Sequence, residues 1–99
     1  MKAHRQYVEE QIKHDKRFAK DLYEARIQVR LAVMITKLRE ERGWSQRDLA
    51  KITGIKQPQI ARIEKGEHLP TLETLWKLAD AFDAKIVIGP HQKLEIRAA

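Results

Sequence analysis

The sequence predicts a mainly α-helical bundle, preceded by a helical extension and closed by a short β-strand or hairpin. Three observations carry this expectation. The first 42 residues contain neither Gly nor Pro, whereas all four Gly and three Pro fall later, where turns are wanted. Apolar residues recur at helical spacing through most of the chain. After Asp83 the pattern changes to β-branched alternation, Lys85-Ile86-Val87-Ile88.

In chain order, Tyr7, Val8, Ile12, Phe18 and Leu22 give the N-terminal extension a helical pattern, and Asp15 is placed to cap a fresh helix, predicting one break near it. Ile27, Leu31, Met34 with Ile35, and Leu38 mark the apolar stripe of the next helix, which Gly43 ends by taking a left-handed backbone. Ser45 is placed to cap the following helix, with Asp48 three residues on as its reciprocal partner, and Gly54 stops it. A helix from about Gln57 to Lys65 comes next, with Pro58 in its first turn and Gly66 at its end. Thr71 caps the last helix, whose buried face is expected from Leu72, Leu75, Ala79 and Phe82. Lys85–Ile88, a Gly89-Pro90 turn and Leu94-Glu95-Ile96 then read as a strand or hairpin, which needs a partner surface because a lone ribbon is marginal in water.

Composition narrows the function. Ninety-nine residues leave room for one core, and 42% hydrophobic content is enough to build it despite 34% charged residues. The chain has no cysteine, so disulfides and thiolate metal sites are excluded. No apolar run reaches membrane-span length, and Met1–Arg5 lack the apolar stretch of a signal peptide, so a cytoplasmic, nucleoid-associated protein is expected. The formal charge of +6 favours polyanions, and its distribution is uneven. Between Trp44 and Gly66 five basic residues (Arg47, Lys51, Lys56, Arg62, Lys65) face two acidic ones (Asp48, Glu64), whereas from Glu67 onward four basic residues face five acidic ones.

The two short helices Ser45–Thr53 and Gln57–Lys65, joined by Gly54-Ile55-Lys56, have the spacing of a helix-turn-helix. Ala50 is small enough for close approach, and Ile55, Ile60 and Ile63 wedge the helices together. Gln57, Gln59 and Arg62 are left on the exposed side of the second helix. Gln suits the N6/N7 edge of adenine and Arg the O6/N7 edge of guanine, so these are the expected base readers. Around them Ser45, Gln46, Arg47, Lys56, Lys65 and His68 are the expected phosphate contacts.

At these residues the chain resembles the Cro/repressor-type (XRE) helix-turn-helix family. The likeness lies in Arg39-Glu40-Glu41-Arg42-Gly43-Trp44-Ser45-Gln46, Leu49-Ala50, Gly54-Ile55, Ile60-Ala61-Arg62-Ile63-Glu64-Lys65-Gly66 and Pro70-Thr71-Leu72. It implies a compact helix-turn-helix bundle of about five helices that binds a palindromic operator in double-stranded DNA as a homodimer. By the same likeness Gln46 clamps a phosphate, Gln57 leads the base readers, and Arg39 and Glu64 form a buried ion pair. The strand after Phe82 and the helical extension depart from the usual pattern. Together with the Asp15-Lys-Arg-Phe18…Tyr23 block, the Pro70–Leu75 helix start and the Ala84–Ile88 ending, they resemble HigA-type antitoxins. That subgroup neutralises a small RelE/HigB-like ribonuclease toxin and represses its own operon.

The expected layout is therefore a partner-binding extension over 1–26, a DNA-binding domain over 27–83, and a strand or hairpin over 84–99 as a candidate dimer contact. Tyr7, Val8, Ile12, Phe18, Leu22 and Tyr23 are the toxin-binding candidates, against the plainer reading that Phe18 and Leu22 pack onto the domain. The four histidines, His4, His14, His68 and His91, lack the pairing of a helical metal site, and no nucleophile arrangement or phosphate loop is present. No cofactor, metal or catalytic residue is expected. Trp44 reads as a core filler, while Trp76 either completes the core or meets a protein partner. A free-standing regulator without a toxin is the alternative function.

Overall fold

The computed structural model describes the backbone of residues 2–89 and 93–98 and the side chains of 13–89 and 93–97. Four helices and a hairpin follow one another: α1 (Lys2–Glu41), α2 (Gln46–Thr53), α3 (Gln57–Glu64), α4 (Leu72–Ala81), β1 (Ala84–Gly89) and β2 (Lys93–Ala98). Among the described residues the bundle has four helices, the hairpin after Phe82 standing where a fifth helix would follow, and the extension is continuous with the first bundle helix. The 40-residue α1 runs without interruption through Asp15, so the expected break is corrected. No Gly or Pro interrupts this stretch, and Asp15 is accommodated as an exposed mid-helix residue. At 1.5 Å rise per residue such a helix is about 60 Å long, and it sets the 63 Å long axis of the molecule.

The core forms where α1's C-terminal half meets the short helices. Leu31 and Ile35 from α1, Leu49 from α2, Ile60 and Ile63 from α3, Leu75 and Leu78 from α4, and Phe82 are all almost completely buried. Ile55 seals the α2–α3 turn, and Ile27, Leu38 and Trp44 pack around this centre. Trp44 stacks on Phe82 at 5.9 Å between ring centroids. The Arg42 guanidinium lies over both rings and donates to the Phe82 carbonyl oxygen. This clasp joins the end of α1 to the end of α4.

On α4 the buried residues are Thr74, Leu75, Leu78 and Ala79, and Leu72 is 63% exposed, which corrects its assignment to the core face. At 100° per residue Leu72 sits at the rim of the 74–75–78–82 stripe, and in the first turn nothing covers it. Trp76 lies outside the core, 69% exposed.

Asp83 turns the chain from α4 into β1 with φ of 51°, a left-handed backbone that Asp tolerates better than most residues. The strands pair antiparallel with Ile86 opposite Ile96 and Ala84 opposite Ala98. Pro90, expected in the turn, and His91 lie outside the described residues. Ile96 enters the core, β2 packs on α1 and β1 on α4, which is the support a two-stranded ribbon needs. On β2, Glu95 holds Lys93 at 3.5 Å and Arg97 at 2.9 Å and meets Arg30 of α1 at 4.0 Å.

A two-pronged ion pair ties α1 to α3. Arg39 Nε donates to Glu64 Oε2 at 2.8 Å and Nη2 to Oε1 at 2.9 Å, so α1 grips the end of α3 with a two-pronged contact. Their side chains are 13% and 5% exposed. Thr36 donates to the same carboxylate at 3.1 Å, and Arg39 Nη1 donates to the Trp44 carbonyl oxygen at 2.8 Å. Burial by itself raises the Glu64 pKa. The hydrogen bonds from Arg39 and Gln46, the Arg39 charge and the Thr36 hydroxyl outweigh it and hold the carboxyl below its ordinary value.

Removing one partner of such a pair leaves an uncompensated buried charge. Glu64→Ala is therefore expected to cost about 3–5 kcal/mol in denaturant unfolding, while replacing Arg39 and Glu64 together by apolar residues costs much less. An unchanged transition for Glu64→Ala contradicts the burial described. Because the folded pKa of Glu64 is depressed, its contribution is complete above the unfolded-state value and is lost as pH falls through the folded one. Melting temperatures below about pH 4.3 should fall more steeply for the parent chain than for Glu64→Gln.

Candidate nucleic-acid interface

The α2–turn–α3 unit is built by local rules. Ser45, with extended backbone, accepts from the Asp48 amide at 3.0 Å, and its own amide donates to Asp48 Oδ2 at 2.8 Å. The two bonds close a capping box that fixes where α2 begins. The Ser45 amide first, and then its hydroxyl, hold the Asp48 pKa below the ordinary carboxylate value. Gly54 ends α2 with φ of 75°, its amide bonded to the Ala50 carbonyl oxygen, a conformation that favours glycine. Thr53 Oγ1 bridges the turn, donating to the Leu49 carbonyl oxygen at 2.7 Å and accepting from the Ile55 amide at 3.2 Å.

α3 starts differently. Its N-cap is Lys56, which makes no side-chain capping bond, and Pro58 occupies the first turn. The amides at this end are therefore not covered by a cap, and the positive end of the helix dipole has a lysine beside it. Ile60 and Ile63 anchor the inner face. Gln57 and Arg62 are exposed and Gln59 is half-buried, with Pro58 and Ala61 between them on the outer side.

The structure joins two of the expected contact residues directly. Gln57 Nε2 donates to Gln46 Oε1 at 3.1 Å, and Gln46 Nε2 donates to Glu64 Oε1 at 3.3 Å. A hydrogen-bonded chain thus runs from the α3 surface through Gln46 and Glu64 to Thr36 and Arg39 on α1. Gln46 is half-buried within it, with both ends of its amide engaged inside the protein. Ser45, Arg47, Lys56, Lys65 and His68 are exposed, Lys65 and His68 beyond the end of α3 and the others at the start of α2 or α3. Sequence reasoning missed Thr36. Its only signal was the i, i+3 spacing to Arg39 on one face of α1.

The partner-binding candidates divide. Phe18 is 65% and Leu22 43% exposed, so neither packs onto the domain, and Tyr23 is half-buried. The side chains of Tyr7, Val8 and Ile12 lie outside the described residues. No helix of the described residues is long and apolar enough to cross a membrane.

Comparison with known proteins agrees with this geometry. The helix-turn-helix family HTH_3 matches residues 35–87. An uncharacterized HTH-type transcriptional regulator of Haemophilus influenzae is 40% identical over 70 residues, 71% of each chain. The HTH-type transcriptional regulator SutR of Escherichia coli is 43% identical over 64 residues, 63% of this chain and 36% of SutR. Antitoxin HigA1 of Mycobacterium tuberculosis is 35% identical over 80 residues, 81% of this chain and 54% of the antitoxin. Among solved structures, an HTH_3 family transcriptional regulator from Vibrio cholerae aligns with a TM-score of 0.60 at 34% identity, covering 63% of this chain and 35% of that one. The restriction-modification controller protein C.Esp1396I, a tetramer in complex with its natural 35 base-pair operator, aligns with a TM-score of 0.54 at 25% identity over 57% of this chain and 74% of its own. The chain belongs to the helix-turn-helix family of DNA-binding transcriptional regulators.

Proposed function

We propose that this protein is a homodimeric repressor that reads a palindromic operator through α3 and also serves as the antitoxin of a RelE/HigB-like ribonuclease. The DNA reading rests on Gln57, held beside Gln46 at the adjoining starts of α3 and α2 and surrounded by exposed basic residues. Gln57, Gln59 and Arg62 read base edges. Ser45, Gln46, Arg47, Lys56, Lys65 and His68 contact phosphates and set the register.

The antitoxin reading rests on the long first helix. It extends well before the core stripe that begins at Ile27, and the bundle leaves Phe18 and Leu22 on it uncovered. The likeness to antitoxin HigA1 spans 80 residues, well beyond the 35–87 that the helix-turn-helix itself occupies. An amphipathic helix uses such a face to lie in a partner's groove. A second reading, a free-standing regulator, is favoured by the two relatives that are known as transcriptional regulators.

Two experiments separate these roles. In binding titrations Gln57→Ala, Gln59→Ala and Arg62→Ala should each cost about 1–3 kcal/mol on the operator and relax preference at particular bases. Lys56→Ala and Lys65→Ala should weaken cognate and unrelated DNA alike and reduce the salt slope by roughly one each. Equal losses on both DNAs for all five would mean that α3 does not read bases. Deleting 1–16 should abolish rescue of cells expressing a RelE-like toxin encoded beside the gene, with operator affinity nearly unchanged. A truncated chain that still rescues moves the toxin contact elsewhere, and a neighbouring gene without ribonuclease activity favours the free-standing regulator.

A further inference from the structure

α1 carries a second row of apolar residues outside its core stripe, and the bundle covers it only toward its end, where the Gly66 turn lies against Val29. Ile27, Leu31, Ile35 and Leu38 face the core. Phe18, Leu22, Val29 and Val33 are 65%, 43%, 58% and 62% exposed, with Ala25 between them also exposed. At 100° per residue these five fall within an arc of about 80°, centred about 165° from the mean direction of the core stripe. The positions 18, 22, 25 and 29 follow the alternating four-three spacing of a coiled-coil seam. An open groove of about 620 Å³ runs along it, lined by Ala25, Arg26, Val29, Arg30, Val33 and Met34. Valine at an exposed helical position loses side-chain freedom, so Val29 and Val33 cost the helix a little unless something covers them.

The fold indicates the occupant. α1 ends at Glu41 and passes through the Gly43 turn directly into Ser45 and Gln46, and Gln46 touches Gln57. The start of the reading helix therefore lies at the C-terminal end of α1. Two copies can present both reading ends to one DNA duplex when their α1 helices run parallel, with the two-fold axis along them. In that arrangement Leu22 meets Leu22 of the second copy and Val29 meets Val29, while small Ala25 lets the helices approach. Asp21 and Arg26 sit on opposite flanks of this seam five residues apart, where opposite charges pair across a parallel two-stranded coil. A cationic toxin surface is disfavoured at this level of the helix, because Arg26, Arg30 and Lys37 border Val29 and Val33.

We propose that the Phe18–Val33 face of α1 is a parallel dimer seam for a second copy of this chain, with Asp21 of each copy paired to Arg26 of the other. The inference rests on the reading that the chain binds a two-fold operator as a dimer. It assigns Phe18 and Leu22 to that dimer and leaves the residues before them for the toxin.

The chain has no cysteine, so single-cysteine variants report the seam cleanly. Oxidised full-length Leu22→Cys and Val29→Cys should each form a disulfide-linked dimer on a non-reducing gel, and a mixture of the two variants should give little cross-product. In sedimentation, Val29→Glu and Leu22→Glu should each raise the dimer dissociation constant at least ten-fold with unchanged circular dichroism. Asp21→Arg should weaken the dimer and Arg26→Asp in the same chain should restore it. The seam is overturned by a monomeric parent chain, by a dimer that survives Val29→Glu and Leu22→Glu, or by one that Trp76→Glu alone dissociates, which places the contact on α4 and β1. Footprinting of one operator by a chain that fails these tests removes the seam and leaves the DNA-binding reading standing. Intact cross-linking without sequence-specific binding does the reverse.

Discussion

The carboxylate of Glu64 is the point on which the DNA-binding unit depends. It sits at the last turn of α3 and receives hydrogen bonds from Arg39 and Thr36 on α1 and from Gln46 on α2. A buried charge is costly unless its lone pairs are satisfied, and here donors on two other helices satisfy them. The three helices are consequently fixed relative to one another by directional contacts as well as by apolar packing. Apolar contacts among Leu31, Ile35, Ile60 and Ile63 tolerate sliding and rotation, whereas a two-pronged guanidinium contact does not. Only the second kind of constraint fixes the orientation of α3.

The same hub reaches the surface. Gln46 is bonded inward to Glu64 and outward to Gln57, so the side chain at the front of α3 is oriented by a path that ends on α1. Such pre-orientation leaves Gln57 less side-chain entropy to lose in any contact it makes. Thr36 lies on the same side of α1 as Val29 and Val33, beside Glu64, Lys65 and Gly66. Anything that packs on that helix sits one turn from the residues that hold α3.

The hairpin and α4 complete the scaffold in a way suited to a small chain. Phe82 is buried at the junction, capped by Trp44 and Arg42, and Ile96 returns from β2 to close the core beside it. Glu95 joins the ribbon to α1 through Arg30 and draws in Lys93 and Arg97 from its own strand, which keep its pKa below the ordinary value, the Arg97 hydrogen bond foremost. Leu72, Trp76 and Ile88 stay outside all of this.

Local chemistry made most of the elements legible in the chain itself. The Ser45–Asp48 capping box, the left-handed Gly43, Gly54 and Gly66, the Thr71 cap and the switch to β-branched alternation after Asp83 each depend on a few neighbouring residues, and each was readable without a fold. The exposed side of α3 was legible for a related reason: Ile60 and Ile63 must face inward, which leaves Gln57 and Arg62 outside. What the sequence could not decide is anything set by residues distant along the chain. Asp15 has the form of a cap but lies mid-helix, because no neighbouring Gly or Pro breaks the hydrogen-bond ladder around it. Leu72 has the spacing of a core residue but lacks a surface to cover it. Only the fold shows that Gln46 is tied between Glu64 and Gln57, and the i, i+3 spacing of Thr36 to Arg39 does not by itself reveal their shared partner. Periodicity states which side of a helix is apolar; only the assembled structure states what, if anything, lies against it.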